Sequence, residues 1–210
     1  MKPNFSPISP GDSLQTHKRN LPHWEQTGRI YFLTWRLADS IPQQKIKELS
    51  WQKRTWLSHH PEPWDEESAN EYHHLFTARW QRWLDQGHGS CLLNSEVFRK
   101  ITESSLHYFD GTRYFLDDYV LMPNHVHVLV MPNEAFQISE ITHSWKSFSA
   151  HEMCKLTDHK GPIWMKEGFD TMVRSMKQLD RFRSYIRNNP ENAHLDPIQY
   201  TLGKGRGIPM

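Results

Sequence analysis

Cysteine is nearly absent from this chain: Cys91 and Cys154 are the only two among 210 residues. They stand far apart and without CxxC spacing, which argues against a disulfide framework and a thiolate zinc site and suits a reduced cytoplasm. Long apolar runs are missing too, so no membrane-spanning helix is expected, and the opening MKPNFSPISPGDS lacks the apolar centre of a signal peptide. Nor does one sign of charge dominate. The net charge is +1, which by itself does not mark a nucleic-acid binder. Charge is unevenly placed, however: from Lys160 onward nine Lys or Arg face five Asp or Glu. That local surplus favours a phosphate-bearing partner.

What is present suits one folded domain with a sizeable core, since the length is sufficient and nine residues are Trp. Residues 1–22, rich in Pro, Ser and basic side chains, read as a flexible arm. RIYFLTWRLA (29–38) is a dense run of β-formers and a first strand. A helical insertion follows over about 43–109, with Trp51 and Trp56 expected to pack inside and a third helix over roughly 95–109. YFLDDYVLM and HVHVLVMP then read as two strands of a hairpin. In the helix over 138–156, Ile141, Trp145, Phe148 and Met153 recur at near-helical spacing. A short strand is expected after GPIW, and SMKQ at 175–178 has the form of a capping box opening a helix that should stop at Pro190. This order predicts an α+β fold, a ferredoxin-like antiparallel sheet with helices on one face. Residues 23–196 form the domain, and 197–210 are expected to be a flexible tail.

The stretch LMPNHVHVLV (121–130) places two histidines one residue apart in an apolar strand. Alternate side chains share a face, so His125 and His127 look the same way and can hold one divalent cation. Taken alone, they read equally well as polar residues on a half-solvated face. In LDRFRSYIRNNP, Leu179, Phe182 and Ile186 form an apolar stripe that should face the sheet. Tyr185 sits at its border, with Asn189 one turn further on nearly the same side. Arg181, Arg183 and Arg187 surround the pair and suit phosphates.

LPHWEQTGRIYFLTWRLADSIP, DGTRYFLDDYVLMPNHVHVLV, ITHSWKSFSAHEMCKL, GPIW and YIRNNP occur in an order that resembles the REP-associated tyrosine transposases, a branch of the single-tyrosine HUH nucleases in the IS200-like superfamily. The resemblance spans residues 21 to about 195. It departs from the family at Ser175, where an acidic residue is common, and at ENAHL after the Asn-Pro pair, where a Gly-containing turn is usual. The resemblance implies an HUH endonuclease fold in which His125 and His127 are the metal-binding histidines, Asn189 the third ligand and Tyr185 the nucleophile. It implies Mg²⁺ or Mn²⁺, although imidazoles alone also suit zinc. The implied substrate is single-stranded DNA at a REP hairpin, nicked and joined through a 5′-phosphotyrosine by a cytoplasmic monomer or weak dimer. Lys146, Arg181, Arg183, Arg187, Lys204 and Arg206 are the candidate DNA contacts. Two rival readings stand against this one. A histidine-triad hydrolase would need a third histidine where Leu129 stands, and a domesticated, non-cleaving hairpin-binding protein would not need the four site residues intact.

Overall fold

The computed structural model describes residues 3, 5, 15–18, 22–25, 28–61, 64–166 and 168–209. The central strand is β5 (His125–Pro132), all eight residues of which are buried. β3 (Tyr31–Arg36) pairs with it antiparallel, Tyr31 opposite Val130 and Arg36 opposite His125. On the other side runs β4 (Tyr114–Leu121), joined to β5 by the turn at residues 122–124. β6 (Phe169–Met172) flanks β3 and β7 (Thr201–Lys204) flanks β4, giving the antiparallel order β6-β3-β5-β4-β7. Separately, β1 (Gln15–Lys18) pairs with β2 (Pro22–Glu25) within and just beyond the stretch read as an arm. The rest of that arm, residues 3 and 5 apart, lies outside the described residues.

Side chains alternate along a strand, so β5 offers Val126, Val128 and Val130 to one face and His125, His127, Leu129 and Met131 to the other. The valine face joins Tyr31, Leu33 and Trp35 beneath α4 (Glu96–His107) and α5 (Ile138–Cys154), which contribute Leu106, Ile141, Trp145 and Met153. On the histidine face, Phe32, Val120, Leu129 and Met131 pack with Leu179 and Ile186 of α6 (Met176–Asn192). The α+β class and the antiparallel sheet are as expected, but helices cover both faces rather than one. A sheet apolar on both sides needs a cover on each.

Three other expectations change. Trp56 is buried, whereas Trp51 is 61% exposed; five residues turn a helix through about 500°, which leaves the two on different sides. In α5 the buried row runs Ile141, Trp145, Ser149, Met153, one residue every four, and Phe148 falls beside it, exposed. α6 begins as read, with Ser175 Oγ accepting from Gln178 N at 3.1 Å, yet it runs past Pro190 to Asn192. Proline removes one donor in the last turn, and Ala193 N–H to Asn189 O and Leu195 N–H to Pro190 O close that turn around it.

The tail is not free. β7 pairs with β4, the N–H groups of Gly205 and Gly207 donate to Asp117 O and Leu116 O, and Ile208 is buried. Its glycines serve close approach: a Cβ on Gly203 would strike the Tyr119 ring. β4 itself carries a bulge. Leu116 faces Val130 and Tyr119 faces Val128, so Asp117 and Asp118 together oppose one residue. Both carboxylates turn to α6, where Asp117 Oδ2 takes Arg183 Nη2 at 2.6 Å and Asp118 Oδ2 takes Arg187 Nε at 2.9 Å.

Candidate active site

β5 and α6 bring the four expected residues together. His125 and His127 are fully buried with ring centroids 4.8 Å apart, and the Tyr185 ring stands edge-on to His127 at 5.2 Å. Phe32 stacks between His127 and Phe182, fixing the imidazole against the sheet. Asn189 is buried one turn along from Tyr185. Three polar atoms here have no hydrogen-bond partner: His125 Nε2, Tyr185 Oη and Asn189 Oδ1. A buried polar atom left unmatched costs roughly 1–3 kcal/mol, so three at one place call for a ligand.

Neighbours set which imidazole nitrogen is bare. The Asn124 side-chain NH₂ is committed to the carbonyls of Leu84 (3.1 Å) and His88 (3.2 Å), so its oxygen must face His125. His125 Nδ1–H therefore donates to Asn124 Oδ1 at 2.8 Å, which leaves Nε2 as a lone pair. His127 follows the same logic. Its Nε2 accepts from Gln81 Nε2 at 3.1 Å, so the proton sits on Nδ1 and is given to Thr34 Oγ1 at 2.7 Å. Two neutral imidazoles with lone pairs on both Nε2 atoms, that of His125 bare and that of His127 taken by the Gln81 amide, suit a metal site once the amide moves aside.

Burial sets the charge states. It holds the His125 imidazole down to about 3 and His127 well below its usual value, the latter also disfavoured by its neighbour His125. Burial raises the Tyr185 phenol, the charge of Asp85 raises it further, and Asn189 pulls it back in part. Asp85, at the end of α3 (Arg79–Asp85), is pushed up to about 6 by burial, opposed by the Gln81 amide. Its Oδ1 lies 4.0 Å from His125 Nε2, but with His125 neutral the two do not form an ion pair.

α3 closes a helical insertion made of α1 (Gln43–His59), α2 (Glu66–Tyr72) and a π-helical run over His73–Ala78, packed around Leu49, Trp56, Phe76 and Trp83. Thr34, Gln81, Asp85 and Asn124 were not picked out from the sequence. Thr34 had a signal, since alternation along FLTWR puts it on one face with Phe32 and Arg36; for Gln81 and Asp85 nothing local points across to β5. Arg36 is also buried here, its guanidinium lowered to about 10 by burial and lying over the Trp80 ring.

The proposed phosphate contacts divide. Arg181 is exposed on α6, whereas Arg183 and Arg187 are engaged by Asp117 and Asp118. Lys146 sits on α5, against the opposite face, and donates to the carbonyl of Lys166. Lys204 and Arg206 are exposed along β7 and just after it.

Residues 90–189 match the family model described as "Transposase IS200 like". Over this stretch the chain is similar to the IS200-like transposases. The matched segment contains His125, His127, Tyr185 and Asn189; β3, the helices α1 to α3 and β7 lie outside it. A REP-associated tyrosine transposase solved with a REP hairpin is 14% identical, with 93% of this chain and 100% of that one covered and a TM-score of 0.47. A protein from Deinococcus radiodurans assigned as a transposase is 17% identical over 87% of this chain and 100% of that one, with a TM-score of 0.34. No curated protein matches the chain.

Proposed function

We propose that the protein is a divalent-metal-dependent endonuclease and strand transferase for single-stranded DNA, acting at REP-type hairpins through a 5′-phosphotyrosine on Tyr185. The observation that carries this is the meeting of His125 Nε2, Asn189 Oδ1 and Tyr185 Oη, all buried and all without partners. The residues fit a hard or borderline cation: two neutral imidazoles and a carboxamide oxygen, with no thiolate near. His125, His127 and Asn189 would hold it. When bound, Mg²⁺ or Mn²⁺ supplies Lewis-acid polarisation of the scissile phosphate and stabilises the charge that develops there.

The chain's own groups do the rest. Tyr185 is held as a neutral phenol by burial and by Asp85, which protects the nucleophile until a phosphate is in place. Its oxygen then bonds to phosphorus as the bond to the 3′-oxygen breaks, and that oxygen leaves as a 3′-OH after taking a proton. One phosphodiester replaces another, so the 3′-OH of a second strand can reverse the step without ATP. That reversal is strand transfer. Phe32 and Phe182 brace the imidazole, while Arg181, Lys204 and Arg206 offer the exposed positive charge a DNA backbone would follow.

The test is to incubate the protein with a labelled single-stranded REP hairpin and Mn²⁺, then run a denaturing gel. A covalent protein–DNA band that vanishes in Tyr185→Phe is the expected result. Tight hairpin binding without any band would instead make this a non-cleaving binding protein.

A further inference from the structure

We propose that Asp85, carried by the helical insertion, is a ligand of the cation held by the two histidines, so that the insertion completes the metal site. This rests on the metal-dependent reading above but goes beyond it, because α3 lies outside the segment that matches the transposase family.

The geometry comes first. Asp85 Oδ1 is 4.0 Å from His125 Nε2, a fully buried atom with no partner. An ion with bonds of about 2.1 Å reaches two donors at that separation. Between Asp85 and the second histidine stands Gln81, one turn earlier on α3. Its amide nitrogen contacts both His127 Nε2 at 3.1 Å and Asp85 Oδ1 at 3.4 Å. A single donor group thus bridges the two acceptors that a cation would bridge.

Asp85 is hard to explain as a structural residue. It is the last residue of α3, where the helix dipole disfavours negative charge. Among the described residues, the Gln81 amide is the one side chain that donates to it, at 3.4 Å. Among the described residues no Lys or Arg lies within ion-pair distance of it, and its neighbour His125 is neutral. A half-buried carboxylate so placed, without a cationic partner, is eased when a positive charge arrives. With Asp85 the donor set becomes two imidazoles, a carboxamide and a carboxylate. The added oxygen favours Mn²⁺ or Mg²⁺ over softer ions and leaves the bound ion with net positive charge toward the phosphate.

Mn²⁺ titration of the full-length protein, followed by the electron paramagnetic resonance signal of free Mn²⁺, tests this without relying on activity. Asp85→Asn should bind Mn²⁺ roughly 10–100-fold more weakly than the unaltered protein. Arg82→Ala, an exposed position on the same turn, should retain the affinity. The thermal midpoint of Asp85→Asn in EDTA should equal or exceed that of the unaltered protein. Equal Mn²⁺ affinity for Asp85→Asn would overturn the assignment, and so would weaker affinity joined to a lower midpoint in EDTA, which would trace the loss to misfolding. Failure of the unaltered protein to bind Mn²⁺ would instead overturn the metal reading itself.

Discussion

His125 and His127 carry a cost that only a ligand removes, and the cost depends on pH. In the unfolded chain they take up protons near pH 6.5, whereas burial holds His125 neutral to about 3 and keeps His127 well below its usual value. The folded state binds fewer protons, so the stability from these groups is intact above about pH 6.5. It drains as pH falls, by up to about 1.4 kcal/mol per unit for each histidine. Asp85 works in the opposite sense: with its folded value raised to about 6, it weakens the fold at neutral pH and recovers on protonation. Urea melts in EDTA between about pH 7 and 5 should show a falling midpoint. His125→Gln should flatten that trend and Asp85→Asn should steepen it. Catalysis gives a sharper prediction at the same scale. Tyr185→Phe removes one hydroxyl and keeps the ring against His127, so hairpin affinity should hold while the covalent adduct disappears. If the adduct persisted, the nucleophile would lie elsewhere, with Tyr200 the first suspect. His127→Ala, or excess EDTA, should abolish cleavage in the same gel assay.

At the scale of elements, α6 shows how much of the site was legible. Its apolar stripe, Leu179, Phe182 and Ile186, could be read from spacing alone, and with it the placing of Tyr185 and Asn189 over the histidine face. The roles of its arginines could not. Whether an arginine meets a phosphate or a carboxylate depends on what the facing strand offers, and the bulge that turns Asp117 and Asp118 toward α6 has no local sequence signature. The three arginines therefore separate experimentally. Asp117 is fully buried, and burial raises its carboxyl despite Arg183. Replacing Arg183 with Met strands that acid, which should cost about 3–5 kcal/mol of stability. Arg181→Ala should change stability by less than about 0.5 kcal/mol yet weaken hairpin binding. Chemical denaturation and a binding titration on both variants check the division. Gln81 and Asp85 were illegible for a related reason: they reach the histidines only because the insertion folds back across β5, and no periodicity in α3 announces that.

For the whole molecule the tail is the larger revision, since three glycines suggested flexibility and instead let β7 press against Tyr119 and Leu116. Deleting residues 203–210 would now unseat an edge strand and the buried Ile208 together, so it should lower the thermal midpoint and raise hydrogen exchange along β4. DNA contact is better tested by removing charge. Lys204→Ala with Arg206→Ala leaves the strand in place and should reduce the salt dependence of hairpin binding by about one to two phosphate contacts. An unchanged slope of affinity against salt would show that these side chains touch no phosphate.

The bulge in β4 also bears on which alterations of chain length the protein can survive. Loss of either Asp117 or Asp118 would leave a regular ladder, a change that looks slight on paper. Side chains alternate in twos, so with one aspartate gone Leu116 and Tyr119 stand two apart, as Val130 and Val128 opposite them do, and the buried side chains keep their faces. What goes is a carboxylate facing α6, which leaves Arg183 or Arg187 without its partner on the strand. A single-residue deletion is therefore absorbed at the bulge, whereas the same deletion at Val120 would turn the buried residues beyond it to the wrong face.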